Sequence, residues 1–272
     1  MKKVFSFLLG LLIVTGCTGK KGNNMSKISP IVTREVTYSS NGKTLKGFLA
    51  YDSTRTDKMP GIVVVPEWWG LTRYPKHRAE MLAKLGYVAF AIDMYGDGKV
   101  ADNPKDAGEF AAASMKDMND AQARFDAGVE YLKKQPETDS TKIAAIGYCY
   151  GGEIVLRMAL RGDNLDGVVS FHGGLPTEKV NKPENVKAKI LVCNGTGDKT
   201  NPEVKVEAFK KALNDGDINY VLINYPGATH SFTNPAADSL GKKFNIPIAY
   251  DKVADEKSWQ DMRDFFNKIF WQ

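Results

Sequence analysis

Short continuous apolar runs alternate with helical segments along most of this 272-residue chain, and that alternation constrains its fold more than any other feature. Gly61-Ile62-Val63-Val64-Val65, bounded by Pro60 and Pro66, has the pattern of a strand buried on both faces. Tyr87-Val88-Ala89-Phe90-Ala91-Ile92 repeats it after a helix expected over roughly Lys76 to Leu85. Helices are expected from Ala107 to Met115 and from Asp117 to Lys134, followed by a strand over Lys142 to Ile146 and a helix over Glu153 to Leu160. Strands at Gly167–Phe171, Lys189–Cys193 and Tyr220–Tyr225, a helix at Glu203–Leu213 and a last helix from about Asp251 to Phe270 complete the series. Strands reached through helices pair in parallel, so an open, mostly parallel sheet with helices on both faces is expected. Only the start differs: Ile31–Tyr38 and Leu45–Tyr51 alternate across Ser40-Asn41-Gly42-Lys43, which predicts an antiparallel hairpin.

With 43% apolar and 25% charged residues the chain is neither disordered, collagenous nor a disulfide framework. Its length suits one α/β domain, expected over residues 31–272. The formal charge of +5 includes Lys2 and Lys3, and no basic stripe follows from so small an excess; no nucleic-acid partner is expected.

Those two lysines belong to a segment that reads as an address. Met1-Lys2-Lys3 precedes the apolar run Val4–Val14, too short to span a bilayer as a helix, which is the form of a bacterial secretory signal over residues 1–16. Val14-Thr15-Gly16-Cys17 resembles a lipoprotein lipobox, so Cys17 is expected to carry lipid and anchor an exported domain to a membrane of the cell envelope. Gly19 to Lys27 lacks apolar periodicity and reads as a tether, within residues 17–30.

The residues with chemistry lie where strands end. Gly147-Tyr148-Cys149-Tyr150-Gly151-Gly152 follows a buried strand and opens a helix, the context of a nucleophile elbow with Cys in place of Ser. Such an elbow strains its central residue and leaves no room for side chains at the flanking glycines. It also sets Cys149 at a helix N-terminus, where the dipole and free N–H groups favour a thiolate. Taken alone, the motif also fits a close-packed βα turn around a structural Cys. Asp198, after the strand ending at Cys193, and His230, after the strand ending at Tyr225, supply the rest of a triad in the order nucleophile, acid, histidine. His230 would act as base and Asp198 would orient it. Glu67, among Val65, Trp68 and Trp69, is a candidate for a raised pKa and a proton-accepting role.

The Cys-containing elbow, Pro66-Glu67-Trp68-Trp69-Gly70-Leu71, Asp93-Met94-Tyr95-Gly96, Asp198 and His230 together resemble the dienelactone hydrolase family over nearly the whole domain. The resemblance implies an α/β-hydrolase fold and a hydrolase acting on a small ester or lactone. It implies that Glu67 contacts the thiol and helps ionise it, and that the backbone N–H groups of Trp68 and Tyr150 form the oxyanion hole. Arginines that grip a substrate carboxylate in that family have no match here: Gly96-Asp97-Gly98-Lys99 stands at one position and Asn234 at the other. The reaction type therefore carries over without the anionic substrate. Trp68, Trp69, Tyr95, Tyr148, Tyr150 and Phe232 are expected to line a pocket for a neutral or apolar acyl group, with Lys99 nearby.

No cofactor is expected, and His77, His172 and His230 without a Cys-x-x-Cys pair leave little material for a metal site. His172, in Phe171-His172-Gly173-Gly174, follows the nucleophile and is read as structural. Cys193 is read as an apolar filler, separated from Cys149 by an intervening strand and so beyond disulfide reach. A monomer is expected. Two readings from other classes are a non-catalytic envelope lipoprotein that uses the scaffold to bind a ligand and a thiol redox protein, the latter disfavoured because no resolving Cys lies near the elbow.

Overall fold

The computed structural model describes Met1 and residues 31–271. The expected signal, Cys17 and tether lie outside the described residues, as does Gln272. β1 (Ile31–Ser40) and β2 (Lys43–Asp52) form the hairpin, closed by Asn41 and Gly42 with φ of 48° and 75°. Both turn residues need positive φ, which Asn and Gly tolerate, and the turn then matches the right-handed twist of the strands. Next come β3 (Met59–Val65), α1 (Arg73–Lys84), β4 (Val88–Ala91), α2 (Pro104–Lys116), α3 (Met118–Lys133), β5 (Thr138–Tyr148) and α4 (Tyr150–Arg161). β6 (Gly167–Phe171), β7 (Lys189–Gly195), α5 (Glu203–Asp215), β8 (Tyr220–Tyr225), α6 (Ala237–Phe244) and α7 (Lys252–Phe270) complete the domain.

One sheet holds all eight strands in the order β1-β2-β4-β3-β5-β6-β7-β8, antiparallel at β1/β2 and β2/β4 and parallel elsewhere. Side chains alternate across it. Val63 and Val65 pack with Phe125 of α3, Ile154 of α4 and Phe209 of α5; Ile62 and Val64 pack with Leu82 of α1 and Met262 and Phe266 of α7. Two apolar layers result, and each fully buried Val, Leu, Ile or Phe contributes about 1.5–3 kcal/mol. Exposed ion pairs such as Lys211–Asp215 contribute under about 1 kcal/mol each. The layers therefore set the fold, and the helix surfaces tune it.

After β4 the chain crosses β3 to reach β5, which reverses the direction of strand order. Open α/β sheets place their ligands beside such a reversal, at the carboxyl ends of the strands. Strand and helix limits differ from the sequence reading by a few residues, and α6 was not expected at all. Its eight residues are too short to show a helical period, and packing of Phe244 against Trp69 rather than intrinsic propensity accounts for it. No helix among the described residues is long and apolar enough to cross a membrane.

Candidate active site

Cys149 follows β5 with φ 54° and ψ −117°, a conformation L-residues avoid. Close approach holds it there. A Cβ on Gly147 would lie 2.0 Å from the Gly151 carbonyl oxygen, and one on Gly151 would lie 2.3 Å from that of Val65. Backbone thus meets backbone on both sides of the elbow, and only glycine fits.

The strained turn presents the half-buried sulfur to the loop after β8. Cys149 Sγ lies 2.9 Å from His230 Nε2, and His230 Nδ1 lies 2.8 Å from Asp198 Oδ2. Asp198 is fully buried at its side chain and is held by the Thr200 N–H and hydroxyl, which donate to Oδ1 at 2.8 and 2.7 Å. Burial raises the Asp198 carboxyl, but the His230 and Thr200 bonds outweigh it and leave it below the usual range. Burial would likewise push His230 down, yet the neighbouring Cys149 sulfur and Asp198 carboxylate hold the ring well above its ordinary value.

Glu67, just past β3, is buried and behaves differently from the expectation that it contacts the thiol. Its Oε2 accepts from Asn234 Nδ2 at 2.7 Å, and Oε1 has no hydrogen-bond partner. Asn234 comes from the loop after His230 and reaches the carboxylate first, so the sulfur is left to His230. Burial lifts the Glu67 carboxyl above the usual range, only partly offset by Asn234 and the nearby His230. Among the described residues, no acceptor takes the backbone N–H of Trp68 or of Tyr150. Tyr150 opens α4, so its free amide also sits at the positive end of that helix.

A cavity of about 420 Å³ opens over the sulfur, lined mainly by Trp68, Met115, Tyr150, Ile246, Pro247 and Ile248 beside Cys149 and His230. The Ile246–Ile248 wall runs parallel to the histidine loop through a bridge from His230 to Ile248, and Ala249 N–H donates to the His230 carbonyl at 3.3 Å. Sequence reading missed this wall and Met115; an Ile-Pro-Ile triplet in an extended segment was the available signal.

Several expected pocket residues are elsewhere. Tyr148, the last residue of β5, points to the opposite layer, is fully buried and stacks on Phe171 at 4.8 Å. Phe232 is core beneath the histidine loop, against Tyr225 and His172. Trp69 is buried behind Trp68, between it and Phe244. Tyr95 donates its hydroxyl to the Trp68 carbonyl at 3.0 Å and, with Lys99, faces a separate hollow beside Phe110 and Arg124. The Asp93 carboxylate accepts from the Tyr95, Gly96 and Gly98 amides and so fixes the course of that segment. His172 is buried, as a structural residue would be, but it also touches the site: its Nδ1 lies 3.1 Å from the Cys149 backbone N. Cys193 is buried and unpaired, as is the half-buried Cys149. No group of three or more His, Cys, Asp or Glu among the described residues is arranged to hold a metal.

The family model described as the dienelactone hydrolase family matches residues 45–270. Protein usf of Aquifex pyrophilus is 31% identical over 241 residues, which span 86% of this chain and 97% of that protein. Among solved structures, the dienelactone hydrolase-like promiscuous phosphotriesterase P91 from metagenomic libraries is 33% identical with a TM-score of 0.83, covering 88% of this chain and 98% of its own. The structure named m3DLH is similar to the same degree, at 33% identity and a TM-score of 0.83.

Proposed function

The chain belongs to the dienelactone hydrolase family, has the α/β-hydrolase fold and is a hydrolase, and from that premise we propose that it cleaves a small ester or lactone through Cys149, His230 and Asp198 by way of a thioester. The observation that carries this reading is the unbroken contact from sulfur to imidazole to carboxylate, 2.9 and 2.8 Å. The thiolate adds to the carbonyl carbon while the Trp68 and Tyr150 amides receive the oxyanion, each worth about 3 kcal/mol in such a role. Collapse expels the alkoxide, which takes the Nε2 proton of His230. That transfer takes the proton off Nε2, while Asp198 stays hydrogen-bonded at Nδ1. The same ring is thereby neutral when water arrives, accepts a proton from it and returns that proton to the departing sulfur.

The apolar wall of Met115, Ile246 and Ile248 supports a neutral or apolar acyl group. Asn234 is engaged by Glu67, and Lys99 faces another hollow, so neither stands where a carboxylate grip is needed. The test is hydrolysis of short aryl esters, neutral and anionic lactones and a neutral phosphotriester, the last because P91 is named for that activity. Turnover by the wild type, loss by about 10³-fold or more in Cys149→Ala with folding retained, and an acyl adduct on Cys149 by mass spectrometry are expected. Absence of turnover on every member, with iodoacetamide reacting no faster than with a free thiol, overturns the reading.

We further propose that lipid on Cys17 anchors the domain to a membrane of the bacterial envelope, on the strength of the Val14-Thr15-Gly16-Cys17 segment. The full chain is expected in the membrane fraction and Cys17→Ser in the soluble fraction; equal distribution of the two would refute the anchor.

A further inference from the structure

His172 takes no part in the proposed chemical steps, yet it joins the loops that carry them. Its Nδ1 lies 3.1 Å from the Cys149 backbone N, whose N–H is shared with the Phe171 carbonyl at 3.0 Å. Because Nδ1 accepts there, the ring proton belongs on Nε2, which lies 2.7 Å from Thr233 Oγ1 in the loop that carries His230. The next residue, Gly173, accepts from Asn201 Nδ2 at 2.8 Å, in the loop that carries Asp198. One dipeptide after β6 thus ties the ends of β5, β7 and β8 together. Its outer side is anchored too: Thr233 Oγ1 lies 2.6 Å from the Tyr74 hydroxyl, which accepts from Arg78 Nε at 3.2 Å. The tie is held against strain, with φ of 42° at His172 itself, 54° at Cys149 and 61° at Ser231.

The geometry points to His172 as a positioning residue that, as a neutral ring protonated on Nε2, fixes the Cys149 amide relative to the histidine loop and so sets the approach of Sγ to His230. This rests on the hydrolytic reading above, though the positioning of the sulfur is measurable without any substrate. Protonation of His172 would turn Nδ1 into a donor facing the Cys149 N–H and place a second cation beside His230, whose ring centroid is 5.4 Å away. Burial first, then His230 and Arg78, keep the His172 pKa well below its ordinary value against the opposing pull of Asp198. Thr233 and Tyr148 face the ring as well, and neither carries a charge there. His172 does not line the cavity over the sulfur, so its loss should leave substrate binding alone.

The experiment compares His172→Phe, His172→Gln and Thr233→Val with the wild type by kcat and KM on an aryl ester, by the rate of iodoacetamide reaction at Cys149, and by thermal unfolding. In His172→Phe, kcat and the alkylation rate are expected to fall roughly 10- to 100-fold with KM within about twofold, the scale of a misplaced reacting group. His172→Gln, whose amide can accept from Cys149 and donate to Thr233, should recover most of that loss, and Thr233→Val should show a smaller fall of the same kind. Wild-type kcat and alkylation in His172→Phe, whatever its unfolding temperature, would overturn the proposal, as would a Gln variant no better than the Phe variant. If neither His172 variant folds, unchanged alkylation in Thr233→Val overturns it. A wild type that fails to hydrolyse any ester defeats the hydrolytic reading, while the alkylation ratios still decide the positioning.

Discussion

Cys149 and His172 show how two buried polar contacts fix chemistry that neither residue type announces. The contact of Cys149, His230 and Asp198 was legible in the sequence because each residue follows a strand and the elbow glycines flank the sulfur, so local pattern and chain order suffice. The contacts of His172 and Asn234 were not legible because their partners are distant in sequence: His172 meets Thr233 61 residues away, and Asn234 meets Glu67 167 residues away. No periodicity encodes such pairs. The same burial makes a prediction about stability. His172 is held neutral when folded but titrates near its ordinary value, about 6.5, when unfolded. As pH falls below that value the unfolded chain gains a proton the folded chain refuses, and stability is lost at up to about 1.4 kcal/mol per pH unit until the folded pKa is reached. Glu67 acts in the opposite sense, since its raised pKa means that stability is lost as pH rises from its unfolded value towards its folded one. Urea denaturation at pH 7.5 and 5.5 isolates the first effect: the wild type should lose about 1 kcal/mol more than His172→Gln over that interval. Equal losses would show that His172 protonates in the folded state.

At the scale of elements, long periodic helices and apolar strands were placed within a few residues, whereas the wall over the sulfur was not. That wall depends on α6 and on residues 246–251, whose extended course is set by partners rather than by its own pattern: Ala249 N–H donates to His230 and Asp251 N–H to Phe232 at 3.0 Å. Asp251 also begins α7, its carboxylate accepting from the Ala254 N–H at 3.0 Å. One residue therefore ends the pocket wall and starts the last helix. Replacing it with Ala removes an N-cap, which typically costs about 1 kcal/mol, but leaves the backbone bond to Phe232 in place. Chemical denaturation of Asp251→Ala should show that loss with kcat and KM within about twofold of wild type. A large fall in kcat would mean instead that the cap itself, and not the backbone, holds the histidine loop.

For the molecule as a whole, the mostly parallel sheet and its two apolar layers were readable from alternation alone, but the polar bolt through one layer was not, because Arg78 on α1 reads as an ordinary surface cation. It is 3% exposed. Its Nη2 donates to Asp255 Oδ1 of α7 and to the Thr233 carbonyl, both at 2.6 Å, so it joins two helices on one face to the loop beside His230. Burial lifts the Asp255 carboxyl and Arg78 works against that lift, while Tyr250 adds a bond to the other oxygen at 3.2 Å. Removing only the cation leaves a buried carboxylate with too few partners, and breaking such a pair costs about 3–5 kcal/mol. Arg78→Met should be destabilised by that amount in urea at pH 8. Freed of its partner, Asp255 in the variant has a still higher folded pKa, so its folded form takes up a proton that the unfolded chain releases as pH rises from about 4. The deficit should accordingly be smaller at pH 5.5 than at pH 8. In Arg78→Met/Asp255→Leu the carboxylate is gone, and most of the lost stability should return with its pH dependence abolished. A double variant no more stable than the single one would show that the bond from Arg78 to the Thr233 carbonyl, rather than the ion pair, is what holds α1 to the histidine loop.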